Sequence, residues 1–390
     1  MKKLQQHIPA GNRVGYFYWL IPLLTVMLFS CKKEVAPVDT ANSLSAADEM
    51  AALQLKKPGA VVWPGASIQA AVNAAAPGST IYIEPGTYME SILVNKAGIQ
   101  LIGLLNGKKK VIIKNPDDEE NGIEVTSGGN GFVLRNVTVE GFEENGVLLT
   151  GVDGFTLDHV DAINNAEYGL FPVFCTHGVI SFCSATGSSD TGIYVGQSSN
   201  VNIEHNTAFA NVSGFEIENC TNVDARFNES FDNAAGLLVF LLPGLTVKTS
   251  TDIIVAHNKI YNNNHINFAP PGGGFETYIP SGSGILLVGT DNTTIEHNNI
   301  NHNNFVGIAN VSTLVLAALA GIPPAAITDI EPNPDGVKIV YNLVRDNGSA
   351  APPGLPLPAA DLLWDGSGTN NCWSNNLFTS SFPALLPACK

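Results

Sequence analysis

Apolar residues alternate with variable residues in short segments of this chain, and each segment begins with a glycine. The pattern Gly, apolar, variable, apolar is GIEV at Gly122 and GIYV at Gly192. Alternation with a period of two predicts β-strands that turn every second side chain inward. The pattern or a close variant begins at Gly122, Gly146, Gly169, Gly192, Gly214, Gly236, Gly284 and Gly307.

The spacing of these glycines is nearly constant. Successive steps are 24, 23, 23, 22, 22, 48 and 23 residues. A fixed period of this size is typical of a solenoid, in which each repeat buries its apolar side only against its neighbours. Because the repeats contain strands and Gly/Asn-rich corners without a helical stripe, we predict an all-β fold, a single-stranded right-handed parallel β-helix.

Asparagines recur in register with the glycines. The position fourteen residues after a glycine is mostly asparagine: Asn136, Val160, Cys183, Asn206, Asn228 and Asn298. Asn258 lies twenty-two residues after Gly236. Inward asparagines at a bend can bond up and down the stack and satisfy backbone groups, so we assign them a structural role. His205, His257 and His297 each precede such an asparagine, and we expect them to be solvated on another face.

Irregular segments mark the start and the borders of the predicted solenoid. Ser67 is a plausible N-cap for a helix over 67–76 that would cover the first coil. Four insertions break the period, and all of them flank the glycine-led strand: 241–250, 264–282, 312–336 and 349–361. Long loops without their own repeat are often functional, so we expect them to wall a groove on that face.

Two parts of the chain resemble known families. The segment "SIQAAVNAAAPGSTIYIEPGTYMESILVNKAGIQLIG" resembles the start of right-handed β-helix proteins of the pectate-lyase-like superfamily. From Tyr168 onward, "YGLFPV", "SDTGIYVGQSSNV", "GFEIENC" and "NNHINFAP" resemble a family of exported or lipoprotein β-helix repeat proteins. The resemblance covers roughly residues 60–345, and it implies the fold and the family but no particular activity.

The first residues read as a targeting signal. Basic residues precede an apolar run over 14–29, and "LFSC" places Cys31 where bacterial lipoproteins are cleaved and lipidated. An uncleaved anchor is the alternative, although the run is shorter than the roughly 20 residues of a membrane span. We therefore predict a lipoprotein signal peptide at 1–30, a tether at 31–58 and a β-helix domain at 59–390. The protein would be exported and lipid-anchored to the bacterial cell envelope, at the periplasm or the outer membrane.

Charge narrows the choice of ligands. The chain has 35 acidic and 19 basic residues, a formal net charge of −16. No basic stripe is present to neutralise phosphates, which disfavours nucleic acid as a partner. An anionic polysaccharide would be repelled unless calcium bridged it, so calcium is a possible cofactor. We expect the chain after the tether to form one elongated domain and the protein to be a monomer.

The cysteines divide into two groups. Cys175 and Cys220 lie two coils apart, about 10 Å at the spacing of stacked strands, which is too far for a disulfide. We expect these two to be free and buried. Cys372 and Cys389 either bridge the C-terminal segment or remain free, because an odd count in an exported chain weakens any disulfide framework.

Outward positions of the glycine-led strands supply the candidate site. The second residue after each glycine points outward, and this ladder includes Phe171, Tyr194 and Glu216, with Glu218 two residues further on. The apolar members, such as Phe171, Leu238 and Phe240, are more simply explained as lying beneath the long loops. We select Glu216, Glu218 and Asp190 as candidate catalytic acids. As candidate substrate-binding residues we select Tyr168, Phe171, Tyr194, Gln197, Lys248 and His265.

Two interpretations of this groove remain open. Aromatic residues beside carboxylates suit a sugar, and two acids on one strand suit either an inverting glycosidase or a calcium site. The first hypothesis is therefore an envelope lipoprotein that binds, and possibly processes, a polysaccharide as a hydrolase, lyase or epimerase. The second is a non-catalytic envelope scaffold or accessory protein that binds a protein partner. No recognised catalytic set separates them.

Overall fold

The computed structural model describes residues 59–355 and 357–390. The signal peptide, Cys31 and the tether lie outside the described residues. Within them the chain winds as a parallel β-helix, and each coil contributes short strands to three faces. No described helix is long and apolar enough to span a membrane.

The first two faces belong to one continuous sheet, because two long strands turn the corner between them. The first face contains β1 (Ala60–Val62), β2 (Thr80–Ile83), β5 (Gln100–Gly103), β8 (Phe132–Glu140), β10 (Asp153–Ile163), β12 (Thr176–Ser181), β15 (Ser199–Glu204), β18 (Thr221–Arg226), β21 (Thr251–Ala256), β24 (Thr294–Glu296), β27 (Lys338–Val340) and β30 (Cys372–Ser374). The second face contains β3 (Gly86–Met89), β6 (Val111–Lys114), the second halves of β8 and β10, β13 (Ser184–Thr186), β16 (Thr207–Phe209), β19 (Glu229–Phe231), β22 (Lys259–Tyr261), β25 (Asn299–Asn301) and β28 (Leu343–Arg345).

The third face is an eleven-stranded parallel sheet and carries all the glycine-led strands, so we call it the glycine face. Its strands are β4 (Ile92–Val94), β7 (Asn121–Val125), β9 (Asn145–Thr150), β11 (Tyr168–Val173), β14 (Thr191–Gly196), β17 (Ser213–Glu218), β20 (Ala235–Phe240), β23 (Ser283–Val288), β26 (Val306–Val311), β29 (Ala360–Trp364) and β31 (Ser381–Phe382). The predicted solenoid and its register along this face are confirmed.

Close approach of successive coils explains the repeated glycine. A Cβ atom at Gly169 would lie 2.4 Å from the carbonyl oxygen of Gly192, and one at Gly284 would lie 2.4 Å from that of Gly307. Real Cβ atoms do not approach other atoms so closely, so only glycine fits where each coil turns into this face.

The expected asparagine ladder is present and buried. The Asn206 backbone N–H donates to Asn228 Oδ1 at 3.0 Å, and the Asn228 N–H donates to Asn258 Oδ1 at 2.8 Å. The ladder continues through Asn298, Asn342 and Asn376. A second buried ladder, which the sequence did not predict, runs through Asn211, Asn233, Asn263, Asn303 and Asn347.

Asn136 was wrongly assigned to the first ladder. Val137, one residue later, pairs with Val160, because the coil from Gly122 to Gly146 is one residue longer than each of the next two coils. Asn136 instead has φ of 57°, in register with a row of residues in the same left-handed conformation. These residues, which include His205, His257 and His297, stack their rings outside the coil: His159, Phe182, His205, Phe227, His257, His297 and Tyr341.

The two ends of the solenoid are held differently. Helix α1 (Ile68–Ala74) begins at Ser67, whose side chain accepts from the Ala70 N–H, and it buries Ile68 and Val72 over the first coil as predicted. At the other end Cys372 and Cys389 form a disulfide. Cys175, Cys183 and Cys220 are free and buried, in agreement with the prediction for the first and the last of them.

The insertions fold over the C-terminal half of the glycine face. The third contains helix α2 (Thr313–Leu319) and a 3-10 turn at Pro324–Ala326, and the second contains a 3-10 turn at Phe275–Tyr278. Together with outward residues of the strands they enclose a second apolar cluster: Leu238, Phe240, Leu242, Ile279, Leu286, Val288, Ala309 and Leu316. The interpretation that apolar outward residues lie beneath the loops is confirmed for Leu238 and Phe240 and is wrong for Phe171, which is partly exposed and not part of this cluster.

Candidate functional site

A cavity of about 190 Å³ lies on the glycine face where the first two insertions meet strands β11 to β20. We call it the acidic cavity. Its floor is formed by outward side chains of the strands, and its walls come from 241–250 on one side and 264–282 on the other. It is lined by Tyr168, Asp190, Glu216, Glu218, Phe240, Leu242, Pro243, Leu245, Phe275, Glu276 and Ile279. The three candidate catalytic acids therefore meet in one place.

Parallel pairing of neighbouring strands brings the acids together. Thr191 pairs with Ser213, Tyr194 with Glu216, and Gly196 with Glu218. Asp190 directly precedes β14, so its side chain enters the cavity at the start of that strand. Tyr168, at the start of β11, donates its hydroxyl hydrogen to Asp190 Oδ2. Asp190 thus comes from the coil of β14, and Glu216 and Glu218 come from two positions on β17 in the next coil.

Thr191 links two of the acids. Its Oγ1 lies 2.7 Å from Glu216 Oε2 and 3.0 Å from Asp190 Oδ1, and Thr191 is fully buried. A hydroxyl has one hydrogen to donate. If the hydroxyl gives its hydrogen to one carboxyl group, a two-centre hydrogen bond at the other contact needs that carboxyl group to carry a proton and donate it to Thr191. The geometry therefore fits a chain of two carboxyl groups that share a proton through a hydroxyl.

The electrostatics of the cavity favour retained protons. Burial raises the pKa of Glu216 to about 8, and the Glu218 carboxylate adds to the shift. Burial and the neighbouring Asp190 raise the pKa of Glu218 to about 8 as well, opposed by a hydrogen bond from Tyr194. Burial, then Glu216, raises the pKa of Asp190 well above its usual range. Like charges in a poorly solvated site cannot all ionise, so the group holds protons near neutral pH.

A group of aromatic rings adjoins the cavity at Tyr168, which lines it. Tyr168 and Phe171 are stacked with centroids 4.2 Å apart, and Phe171 lies 4.6 Å from Tyr194. Tyr194 is only 5% exposed, because its ring folds over Gly196, where a Cβ would lie 2.0 Å from the Tyr194 hydroxyl oxygen. Tyr194 thus occupies the outward position that was predicted, but its ring is buried over Gly196 and is not available on the surface. Tyr168 and Phe171 remain partly exposed.

Gln197 and Lys248 fix the first insertion and do not line the acidic cavity. Gln197 Oε1 accepts from the backbone N–H groups of Thr246 and Val247 at 2.8 and 3.2 Å. Lys248 forms an ion pair with Asp329 of the third insertion, and Asp329 also accepts from the Gly244 N–H at 2.9 Å. The expected placement of these two side chains in the groove is therefore corrected, because the loop's own backbone and the third insertion engage them.

His265 also lies outside the cavity lining. Its Nδ1 is 3.5 Å from Asp232 Oδ1, and its ring meets Phe268 edge to face at 5.4 Å. The first residues of the second insertion lie beside Asp232, which follows β19, and the insertion covers the glycine face only further along the chain. A substrate-binding role for His265 has no support from its position.

Two residues of the site were missed from the sequence. Glu276 enters the cavity from the 3-10 turn Phe275–Tyr278, and its Oε1 accepts from the Gly274 N–H at 2.6 Å. An insertion has no register, so nothing in the repeat pattern could have located it. Thr191 does have a register signal, because it directly precedes the ladder residue Gly192.

A separate acidic group lies away from the cavity. Oxygen atoms of Asp291, Glu331 and Asp335 lie within 4.8 Å of one another, the one such group of metal-binding side chains among residues 59–355 and 357–390. Two backbone hydrogen bonds already engage it, since Asp291 accepts from Asp335 and Asp335 from Thr369. The acids of the cavity do not converge in this way.

Comparison with known proteins identifies the fold. Residues 102–242 match the family described as "Right handed beta helix region", which confirms the predicted handedness. Among solved structures, the A-module of the mannuronan C-5 epimerase AlgE4 of Azotobacter vinelandii has a TM-score of 0.59 at 20% identity, over 82% of this chain and 84% of that one. The AlgE6 A-module of the same organism has 0.62 at 20%, over 80% and 83%.

A third neighbour has a different name. The DFA-IIIase of Arthrobacter chlorophenolicus A6, solved without its lid in complex with GF2, has a TM-score of 0.50 at 13% identity, over 82% of this chain and 92% of that one. No curated protein sequence matches the chain significantly. The chain therefore has the right-handed β-helix fold, and the low identities carry the fold alone.

Proposed function

We propose that the protein binds a neutral glycan in the acidic cavity and hydrolyses it. The observation that carries this proposal is the chain of short contacts from Asp190 through Thr191 to Glu216, whose geometry fits a shared proton inside a walled cavity. Glycoside hydrolysis needs one carboxylic acid that is protonated near neutral pH and one carboxylate that accepts a proton. The raised pKa of Glu216 supplies the protonated acid at pH 7, and Glu218 can act as the base in the fraction of molecules in which it is ionised.

The cavity also favours a neutral over an anionic sugar. Its lining includes four carboxyl side chains and no Lys, Arg or His, and Lys248 is held by Asp329. A uronate would bring another negative charge into this environment without a cation to offset it. The names of two neighbours state that they act on mannuronan, which supports the idea that this fold can accommodate a polysaccharide.

The acids divide into plausible roles by their contacts. Glu216 is almost fully buried and bonded to Thr191, so it is the candidate general acid. Glu218 is partly exposed on the same strand and is the candidate base, with the Tyr194 hydroxyl fixing its orientation. After each turnover Asp190 would reprotonate Glu216 through Thr191 and regain a proton from water, while Glu218 would release to water the proton that it took up. Tyr168 and Phe171 offer a partly exposed aromatic surface for a sugar ring.

Calcium binding is the second candidate, because several carboxylates in one cavity are hard oxygen ligands. Two observations weigh against it at this place. The oxygens of the cavity acids do not converge as those of Asp291, Glu331 and Asp335 do. The short contacts of Thr191 fit a protonated carboxyl group, whereas a calcium site needs ionised carboxylates. We keep calcium as an outcome of the test.

The cellular setting of the proposal is the envelope. We propose that Cys31 carries a lipid and that the tether at 31–58 lets the β-helix reach glycans near the membrane. Labelling with a radioactive fatty acid, compared between the full chain and Cys31→Ala, tests this part separately. Loss of label in the variant supports the anchor, and equal label or no label in either protein refutes it.

A panel of neutral glycans with a reducing-sugar readout tests the activity, using residues 32–390 and the variant Glu216→Gln. We expect the variant to lose turnover and keep glycan affinity, whereas Glu204→Gln, at the end of β15 on the first face, should behave like the wild type. If calcium raises the melting temperature of the wild type and not of Glu216→Gln, the cavity is a calcium site. If no glycan binds or is cleaved, the result favours the alternative interpretation, a non-catalytic envelope scaffold.

A further inference from the structure

We propose that the acidic cavity accepts the end of a glycan chain and not its middle, so that the protein acts on chain termini. This inference rests on the proposed function and adds the mode of attack. It depends on how the glycine face is covered on the two sides of the cavity.

On the C-terminal side the face is closed. The outward residues of β20, β23 and β26 are all nearly inaccessible: Leu238 0%, Phe240 1%, Leu286 6%, Val288 3% and Ala309 3%. They pack with the insertions in the second apolar cluster. A polymer cannot continue along these coils without displacing that cluster.

The same cluster forms the end wall of the cavity. Phe240, Leu242 and Ile279 belong to it and also line the cavity. The first insertion is anchored on both sides, by Gln197 and by Asp329 of the third insertion. The wall is therefore built from packed side chains and tied loops, and it closes the cavity toward β23.

On the N-terminal side the face is open. The outward side chains of β7, β9 and β11 are partly or fully exposed, including Glu124, Leu148, Thr150 and Phe171, and Leu93 on β4 is 44% exposed. From β4 to β14 the face extends about 19 Å at the usual spacing of strands. Several sugar units of one chain can lie there, with apolar and polar side chains alternating beneath them.

The cavity volume fits a short terminal segment. At about 190 Å³ it is smaller than the roughly 300–1,000 Å³ of sites for drug-sized ligands, which suits one or two sugar units. A chain that enters from β11 reaches Glu216 and Glu218 with its end against Phe240. Cleavage by water would then release a small sugar of fixed length, with the leaving oxygen taking the proton of the acid and water supplying the hydroxyl.

Early products from linear neutral polysaccharides test the mode. Xylan, mannan, β-glucan and inulin are each incubated with the protein, and products are sized by mass spectrometry while viscosity is recorded. We expect a single mono- or disaccharide and almost unchanged viscosity. A mixture of many oligosaccharide lengths with an early fall in viscosity would overturn the inference while leaving hydrolysis intact.

A pair of variants in one turn tests the end wall. Phe275 lines the cavity, whereas Tyr278, three residues later, is 41% exposed and does not. Phe275→Ala should lengthen the released products, and Tyr278→Ala should leave the wild-type product unchanged.

Binding distinguishes failure of this inference from failure of the proposed function. Xylo-, manno- and cellohexaose are titrated by calorimetry unmodified, with a bulky fluorophore on the reducing end, or with a benzylidene group on the non-reducing end. We expect one of the two modifications to reduce affinity at least tenfold. Equal affinity for all three forms refutes the recognition of chain ends and leaves the proposed function standing. Absence of binding for every form refutes both proposals.

Discussion

Replacing Glu216 with Gln should stabilise the protein in alkali while it removes the proposed acid. Burial raises the pKa of Glu216 from its usual 4.5 to about 8. Between these values the folded protein keeps a proton that the unfolded chain has released, so stability falls as pH rises through this window. Each pKa unit corresponds to about 1.36 kcal/mol, which gives about 5 kcal/mol over the whole shift.

We expect a smaller measured effect, roughly 2–4 kcal/mol at pH 9, because water entering from the open side of the cavity would partly solvate the charge. Gln keeps the size of the side chain and an oxygen for the Thr191 hydroxyl, so the two proteins should be similar at pH 4.5. Above that pH the stability of the variant should fall less steeply.

Urea unfolding at pH 4.5, 7 and 9 measures this difference, with Glu124→Gln as the matched control on β7. The control should track the wild type at every pH. If Glu216→Gln is no more stable than the wild type at pH 9, then Glu216 ionises at little cost, and the protonated acid that hydrolysis requires at pH 7 is absent.

Three further changes test other parts of the structure. Asn228→Leu removes the acceptor of the Asn206 N–H and should lower the free energy of unfolding by about 1–3 kcal/mol, whereas exposed Asn202→Leu should have little effect; equal urea midpoints would refute a structural ladder. The double variant Cys372→Ser, Cys389→Ser opens a link of sequence separation 17 and should cost about 3 kcal/mol, and an unchanged melting temperature would contradict this. Gln197→Ala frees two N–H groups of the first insertion and should speed proteolysis within 241–250, which an unchanged cleavage rate would disprove.

The repeat determines how much of this structure is readable from the sequence. Gly192, Gly214 and Asn228 are predictable because each coil places them against the same atoms of the next coil, and steric exclusion or a buried hydrogen bond selects the residue. A single extra residue shifts the register, as Asn136 shows. The prediction is reliable where the period is unbroken.

Only those residues of the acidic cavity that belong to the repeat could be predicted from the sequence. Glu216 and Glu218 share the register of the glycine face, and their meeting with Asp190 follows from parallel pairing. Tyr194 has the same register, but its ring lies over Gly196, which has no side chain to prevent this, and it is buried there. Glu276 lies on an insertion, whose path depends on how its own Phe275 and Ile279 pack with Phe240 and not on any repeat.

A crystal structure of Glu216→Gln with a hexasaccharide that binds tests the central claim most directly. The proposed function predicts a sugar unit in the acidic cavity, with an oxygen within hydrogen-bonding distance of the side chains at 216 and 218, and the rest of the chain along β4 to β14. Sugar bound on another face, or a calcium ion among the acids with the sugar elsewhere, would contradict it.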